Sequence, residues 1–306
     1  MIRQLVIPNY TNQLTPVFAR HETFAPRFGW LKKGFDAVSE AKSSDFFLRD
    51  DAHISLGVGK NMAKSIRYWC RAFKLIDDKG TTEFGDQLLG EYGYDPYLED
   101  PNSLWLLHWH LLKSDCLATA WYFTFFEFRK VEFKADESLF FDLRAFCETT
   151  FDSRIAESSL KKDTSCLVRM YLSQNDHKRL NEDNLDSPFS ELNLLGRVGT
   201  NLAFNVGRKP NLSPEILVAV CLDYAEMISP NTQTIALNRL LYEVGSPGMA
   251  FKITASVLCD AIAHVSQYHK NIVLADSANI LQMSFQGGAG TLSKRLLNHY
   301  YNSSHA

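Results

Sequence analysis

The sequence has no charge excess of either sign. Thirty-two lysines and arginines face 35 aspartates and glutamates, a formal net charge of −3 over 306 residues. General attraction to nucleic acid is therefore excluded, and any such role must rest on a local patch. Cysteine is sparse: Cys70, Cys116, Cys147, Cys166, Cys221 and Cys259 form no CxxC pair and no zinc-type Cys/His spacing. That spread predicts reduced thiols packed as small hydrophobes in a cytoplasmic protein. The opening "MIRQLVIPNYTNQLTP" lacks the charged-then-apolar pattern of a signal peptide. No apolar run long enough to span a bilayer is free of mid-run charge. The longest, "LWLLHWHLLKSDCLATAWYFTFFEF" at 104–128, is broken by Lys113 and Asp115. It reads as two buried helices joined around 113–116, with Trp105, Trp109, Trp121 and Phe125 in a core and no membrane partner. Fixed-period repeats, low-complexity segments and a His-Asn-His motif are missing too. "GRVGTN" and "GGAG" are glycine loops without P-loop lysine spacing, so ATP binding is unsupported.

What remains is mainly helical. Helices are expected over about 28–41, 50–56, 60–73, 103–113, 115–128, 137–148 and 156–173. Gly57 and Gly59 supply a turn, and "LIDDKGTTEF" reads as two short strands around an Asp-Lys-Gly turn. The polar stretch 173–188 is the best linker candidate. Beyond it, "SPEILVAVCLDYAEMI" opens a helix with Ser-Pro. The segments "TIALNRLLYEV", "GSPG", a helix over about 254–268 and the alternating "IVLADSANILQMSF" then repeat the early helix–turn–helix–hairpin order. The expected architecture is a winged-helix DNA-binding domain over 1–100, a helical middle over 101–186 and a winged-helix-like C-terminal domain over 187–306.

The helix beginning at Lys60 is strongly two-sided. At 100° per residue, Val58, Met62, Ile66, Trp69, Cys70 and Phe73 share one face, while Lys60, Lys64, Arg67, Arg71 and Lys74 share the other. In a winged helix this element enters the major groove. Lys60, Lys64 and Lys74 then meet phosphates, Arg67 and Arg71 reach guanine edges, Asn61 and Ser65 lie beside them, and Lys79 tips the wing. The alternative is a solvated basic face or a protein-docking helix. The later helix carries a mixed face of Lys252, Asp260, His264, Gln267 and Lys270, which reads as structural or protein-binding.

Just before the first helix, "HETFAPRFGWLKKG" places His21, Glu22 and Arg27 within seven residues, a set suited to acid–base or phosphate work. Its structural alternative pairs Arg27 with Glu22 and buries Phe24 and Trp30. Other combinations are weaker. Glu132–Lys134 has the E-x-K of restriction-type nucleases, but its upstream acid would have to be Asp115, in a helical hairpin. Lys161, Lys162 and Asp163 suit a solvated face or a backbone contact, and His108 and His110 point to different faces of one helix.

The ordered motifs "HETFAPRFGWLKKG", "LGVGKNMAKSIRYW", "TEFG", "DPYLEDPNSLWLLHW", "ATAWYFTF", "ESSLKKDTSCLVRMY" and "GSPGMAFKI" resemble the SspB-like DNA nickase family over about residues 17–286. Genes of this family, once catalogued only as a domain of unknown function, accompany DNA phosphorothioation and antiphage-defence genes. The resemblance implies endonuclease action that nicks one strand of double-stranded DNA for sulfur insertion. It also implies partnership with a cysteine desulfurase, an ATP-using sulfur transferase and a P-loop ATPase. It carries over no catalytic motif, so His21, Glu22 and Arg27 stand on their chemistry alone. Phosphodiester hydrolysis as a reaction type implies Mg²⁺ or Mn²⁺. A non-catalytic DNA-binding scaffold and a transcriptional regulator of the defence operon are the competing readings.

Overall fold

In the computed structural model, residues 14–172 and 187–304 are described. The linker expected at 173–188 lies almost wholly outside them. Helices dominate: α1 Trp30–Ala41, α2 Ala52–Ser55, α3 Lys60–Ala72, α4 Glu83–Leu89, α5 Pro101–Leu112, α6 Thr119–Tyr122, α7 Phe140–Thr150 and α8 Glu157–Tyr171 fill the first part. The second part contains α9 Pro214–Ile228, α10 Leu237–Tyr242, α11 Pro247–Phe251, α12 Ala255–Val265 and α13 Ala289–Ser304. Two small antiparallel sheets complete it. One is ordered β1 (Glu132–Phe133), β3 (Asn201–Phe204), β2 (Leu195–Val198); the other β4 (Thr234–Ala236), β6 (Ile280–Phe285), β5 (Ile272–Ser277).

Helix α5 is apolar on every side. Asp100 accepts from Asn102 N–H and Pro101 starts the first turn, so entry into the helix is fixed locally. From Asn102 to Trp109 every side chain is buried, as a helix without a polar face requires. Its neighbours come from distant parts of the chain: α9, α11 and the 3₁₀ turn Pro188–Leu192. A turn at Lys113–Ala118 then leads into α6 and the wide turn Phe123–Glu127, so the 104–128 segment is the expected buried pair. Trp105, Trp121 and Phe125 are fully enclosed and Trp109 nearly so. Among the described residues no helix is long and apolar enough to cross a membrane. Five cysteines are buried and Cys259 is half-buried, as expected for small hydrophobes.

Glycines in the recognised motifs serve close packing. A Cβ on Gly34 of α1 would stand 2.6 Å from both Cys70 Sγ and Ile66 Cγ2 of α3, so α1 crosses α3 closely only because residue 34 has no side chain. Gly85 of α4 lies against the Leu75 carbonyl, 2.2 Å from where a Cβ would sit. The strand pair expected in "LIDDKGTTEF" shrinks to a single bridge between Ile76 and Thr81. The reason is Thr82: its hydroxyl accepts from Gly85 N–H at 3.0 Å and caps α4, so the chain turns helical before a second strand can extend. The later "IVLADSANILQMSF" does form a full hairpin, β5–β6, turning at Ala278 and Asn279 with positive φ. "GRVGTN" is the β2–β3 turn around Gly199 at φ 59°.

His108 of α5 is a buried joint. Its Nδ1 lies 2.8 Å from the Tyr171 hydroxyl and its Nε2 3.0 Å from the Ala250 carbonyl. The carbonyl can only accept, so Nε2 carries the proton and Tyr171 donates to Nδ1. Burial pushes the His108 pKa down to about 3 from 6.5. Between those values the unfolded chain binds the proton and the folded one does not. Stability therefore falls as pH drops from 6.5 toward 3, by up to about 1.4 kcal/mol per pH unit for this ring. His110, also pushed down by burial, acts in the same direction. Urea titrations across that range should show a shallower acid slope in His108→Gln; an unchanged slope would mean the ring is protonated in the fold. Trp121 packs on Trp69 at 5.4 Å and its Nε1 faces Met170 Sδ at 3.3 Å. Trp121→Ala should destabilise the fold by about 3–5 kcal/mol in the same assay.

Candidate functional site

The basic side of α3 borders a cleft, with Lys60 and Lys64 exposed and Arg67 and Arg71 half-buried. Lys60, Ala63, Lys64, Arg67, Tyr68 and Arg71 recur at helical spacing and form one wall of a cleft of about 620 Å³. The facing wall is the chain from Phe47 to His53, which contributes Phe47, Arg49, Asp50, Ala52 and His53. Val17, Arg20 and Glu22, from the chain before the first helix, form a lip, and Leu117 completes the lining. Six cations line this cleft with two carboxylates, Glu22 and Asp50, a local positive field in an otherwise slightly acidic molecule. Arg71 is partly neutralised by Asp78 at 2.5 Å, and Lys64 lies 4.0 Å from Glu22. Arg20, Arg49, Lys60 and Arg67 make no ion pair among the described residues.

The lip is built on strain. Ala19, Glu22 and Thr23 all have positive φ (56°, 49° and 70°), a region that side-chain-bearing residues enter only when held. Asp163 of α8 holds them. Its Oδ1 accepts from Ala19 N–H and from His21 Nε2, both at 2.8 Å. His21 Nδ1 accepts from Thr23 N–H at 3.1 Å, which fixes the ring proton on Nε2. Arg169 donates to the Thr23 carbonyl from the outside. The His21 ring stacks on Trp69 at 6.0 Å and meets Trp121 edge-on at 5.8 Å. Burial raises the Asp163 pKa, and the His21 hydrogen bond opposes that rise.

The residues singled out in the sequence therefore separate. Glu22, Lys60, Lys64, Arg67 and Arg71 meet in the cleft. His21 does not: it is wholly buried with both nitrogens engaged, leaving no atom for a phosphate. Arg27 is not beside Glu22 but lies over Phe24 and Trp30, at 5.7 and 5.4 Å. Ser65 is buried on the core side of α3. Lys74 follows the helix at φ 60°, which swings its ammonium back onto the His110 carbonyl at 2.5 Å; burial lowers its pKa to about 8. Asn61 and Lys79 are exposed outside the cleft lining. The mixed face around the later helix also changes, since Lys252 turns inward to the Phe125 carbonyl at 2.7 Å.

Arg20, Phe47, Arg49, Asp50, His53 and Tyr68 join the cleft without having been singled out in the sequence. Arg20, adjoining the "HETF" motif, and Tyr68, inside "LGVGKNMAKSIRYW", carried a local hint. Tyr68 donates to the Leu117 carbonyl at 3.1 Å, and burial holds its hydroxyl pKa well above 10, which disfavours it as an ionised nucleophile. No three His, Cys, Asp or Glu side chains gather as a metal cluster among the described residues. Glu22 and Asp50 are the carboxylates that line the cleft, and either is a ligand of the type a magnesium ion takes, since that ion needs one or two carboxylates and completes its shell with water and substrate phosphate.

The class defined so far is a mainly helical protein with two small sheets and a basic cleft carrying carboxylates. The chain belongs to the family described as "Protein of unknown function (DUF4007)", which it matches over residues 18–301. Its fold is similar to a crystal structure of magnesium ion-bound SspB, with a TM-score of 0.88 and 36% identity over 96% of this chain and 90% of that one. A second SspB crystal structure gives the same TM-score and coverage at 35% identity. No curated protein matches the chain. The SspB-like resemblance carried by the sequence motifs thus holds for the three-dimensional structure.

The clamp on the lip yields a stability test. Asp163→Ala leaves the buried His21 Nε2–H without an acceptor, at about 1–3 kcal/mol, and the half-buried Ala19 N–H as well, at less. Asp163→Asn keeps an acceptor oxygen. Chemical denaturation should show a large loss in the first variant and a small one in the second; equal losses would mean that charge rather than acceptance holds the lip.

Proposed function

We propose that this protein binds DNA through the basic cleft and nicks one strand by phosphodiester hydrolysis within a phosphorothioation-type defence system. The observation that carries the reading is the placement of Glu22 and Asp50 among Lys64, Arg67 and other cations in one cleft, on a chain similar to SspB. Cations lower the cost of charge on the reacting phosphate, and a carboxylate beside them can orient water or a metal ion. One of the similar SspB structures contains magnesium; Mg²⁺ or Mn²⁺ held by Glu22 or Asp50 would act here as a Lewis acid. His53, the histidine that lines the cleft, takes the acid–base role that the sequence suggested for His21. His21 and Arg27 act as positioning residues, one through the Asp163 clamp and the other against Phe24 and Trp30.

The order α9, β4, α10, α11, α12, β5, β6, with β6 between β4 and β5, supports the winged-helix assignment we propose for this region. We propose the same for the region from α1 to the Ile76–Thr81 bridge, as a reduced version with a one-bridge wing. The sulfur-transfer partners named above belong to this proposal through the resemblance alone.

Nicking is read from relaxed circles of supercoiled plasmid in Mg²⁺ or Mn²⁺ against an EDTA control. Glu22→Gln and His53→Ala should each lower the rate by roughly 10²–10⁴-fold with DNA affinity retained. The paired change Lys64→Ala with Arg67→Ala should weaken binding and reduce its salt dependence by about one unit of slope per lost phosphate contact. Folded wild-type protein that binds DNA and never nicks it would favour the scaffold reading.

A further inference from the structure

The shape of the cleft limits what can enter it, and this inference rests on the DNA-binding reading above. A helix that reads a duplex must protrude, because the major groove is about 12 Å wide and 8.5 Å deep, scarcely more than the roughly 10–12 Å diameter of one helix with its side chains. The cationic face of α3 is instead flanked by the Phe47–His53 segment and the Val17–Glu22 lip, which line one cleft with it; Arg67 and Arg71 are half-buried there, while Lys60 and Lys64 stay exposed at its edge. A volume of about 620 Å³ is that of a small-ligand pocket, not of a duplex seat.

The lining of the cleft is divided in kind as well. Arg49, Arg67 and Lys64 supply charge for phosphates, while Phe47 and Tyr68 offer ring surface inside the same space. Both rings are only half-buried. Phe47 is braced edge-on by Phe46 at 5.3 Å, and Tyr68 is anchored through its hydroxyl to Leu117 and edge-on to Trp69 at 4.9 Å. Rigid aromatic surface beside arginines is the combination that holds unstacked bases together with their backbone.

We infer that the cleft takes one DNA strand at a time, as a segment of one or two nucleotides out of the duplex, with bases against Phe47 and Tyr68 and phosphates on Arg67 and Arg49. A strand drawn into such a space is separated from its complement, so chemistry at the Glu22 lip would reach one backbone only.

The test measures binding without chemistry. Fluorescence anisotropy in EDTA compares a labelled 12-nucleotide single strand, the same sequence as a closed duplex, and a duplex with a central unpaired bubble. The single strand and the bubble should bind at least about ten-fold tighter than the closed duplex. Phe47→Leu and Arg67→Ala should each erase most of that preference, by roughly five-fold or more for a lost base–ring contact. Thermal melts establish that each variant is folded, and Tyr68→Phe, which keeps the ring, should retain the preference. Equal or tighter binding of the closed duplex, or a preference that survives both changes in folded protein, overturns the inference. Plasmid nicking on the same preparations separates the two proposals. Strand preference without nicking removes the nickase reading alone, and nicking without strand preference removes this one alone.

Discussion

The Oδ1 atom of Asp163 accepts from Ala19 N–H and from His21 Nε2, groups 144 and 142 residues away along the chain. The lip that brings Glu22 to the cleft depends on that acceptor. Its hydrogen bonds oppose the strain of three left-handed residues at Ala19, Glu22 and Thr23, and the strained turn sets which side chains go in and which go out. His21 goes into the aromatic core, while Arg20 and Glu22 reach the cleft. A buried carboxylate is ordinarily unfavourable, and Asp163 persists because its oxygen is satisfied by two donors.

Helix α3 joins the core and the cleft. Its apolar side places Ile66 and Cys70 against α1 and Trp69 against His21 and Trp121, and its opposite side carries Lys60, Lys64, Arg67 and Arg71. Because the inner side is close-packed, down to the bare Gly34, the helix cannot rotate about its axis, and the residues that carry the cations keep their register relative to the Phe47–His53 wall.

The stripe on α3 was readable from sequence because helical period is local: four of its five expected cations line the cleft. The fifth, Lys74, failed for an equally local reason that composition hides, the left-handed residue just past the helix end. Ser65 shows the limit of residue-type reasoning, since a small polar side chain is tolerated on a buried face. The buried pair at 104–128, the α9 start at Ser213–Pro214 and the β5–β6 hairpin followed from apolar runs, capping residues and alternation. The wing after Ile76 did not, because Thr82 satisfies a helix cap better than a strand. Arg49, Asp50 and His53 were invisible as site residues: they reach the cleft only through packing of the loop that carries them against α3. His21 looked chemical for the same reason in reverse, because its partner lies on α8.

Helix α13 adds a consequence for how the molecule is made. It packs on α9 and also reaches back across the sequence. Asn298 accepts from the Tyr94 hydroxyl, Asn102 donates to the Tyr300 hydroxyl, the Tyr301 hydroxyl meets Ser103, and Lys294 pairs with Glu83. Synthesis runs from Tyr94 toward Asn298, a separation of 204 residues, and at about 5–20 residues per second the interval is on the order of 10–40 s. Through that interval the nascent α4–α5 region waits without its final partners, and the packing around α9 is completed late. A helix outside the candidate site thereby sets when the newborn polypeptide becomes one cooperative unit.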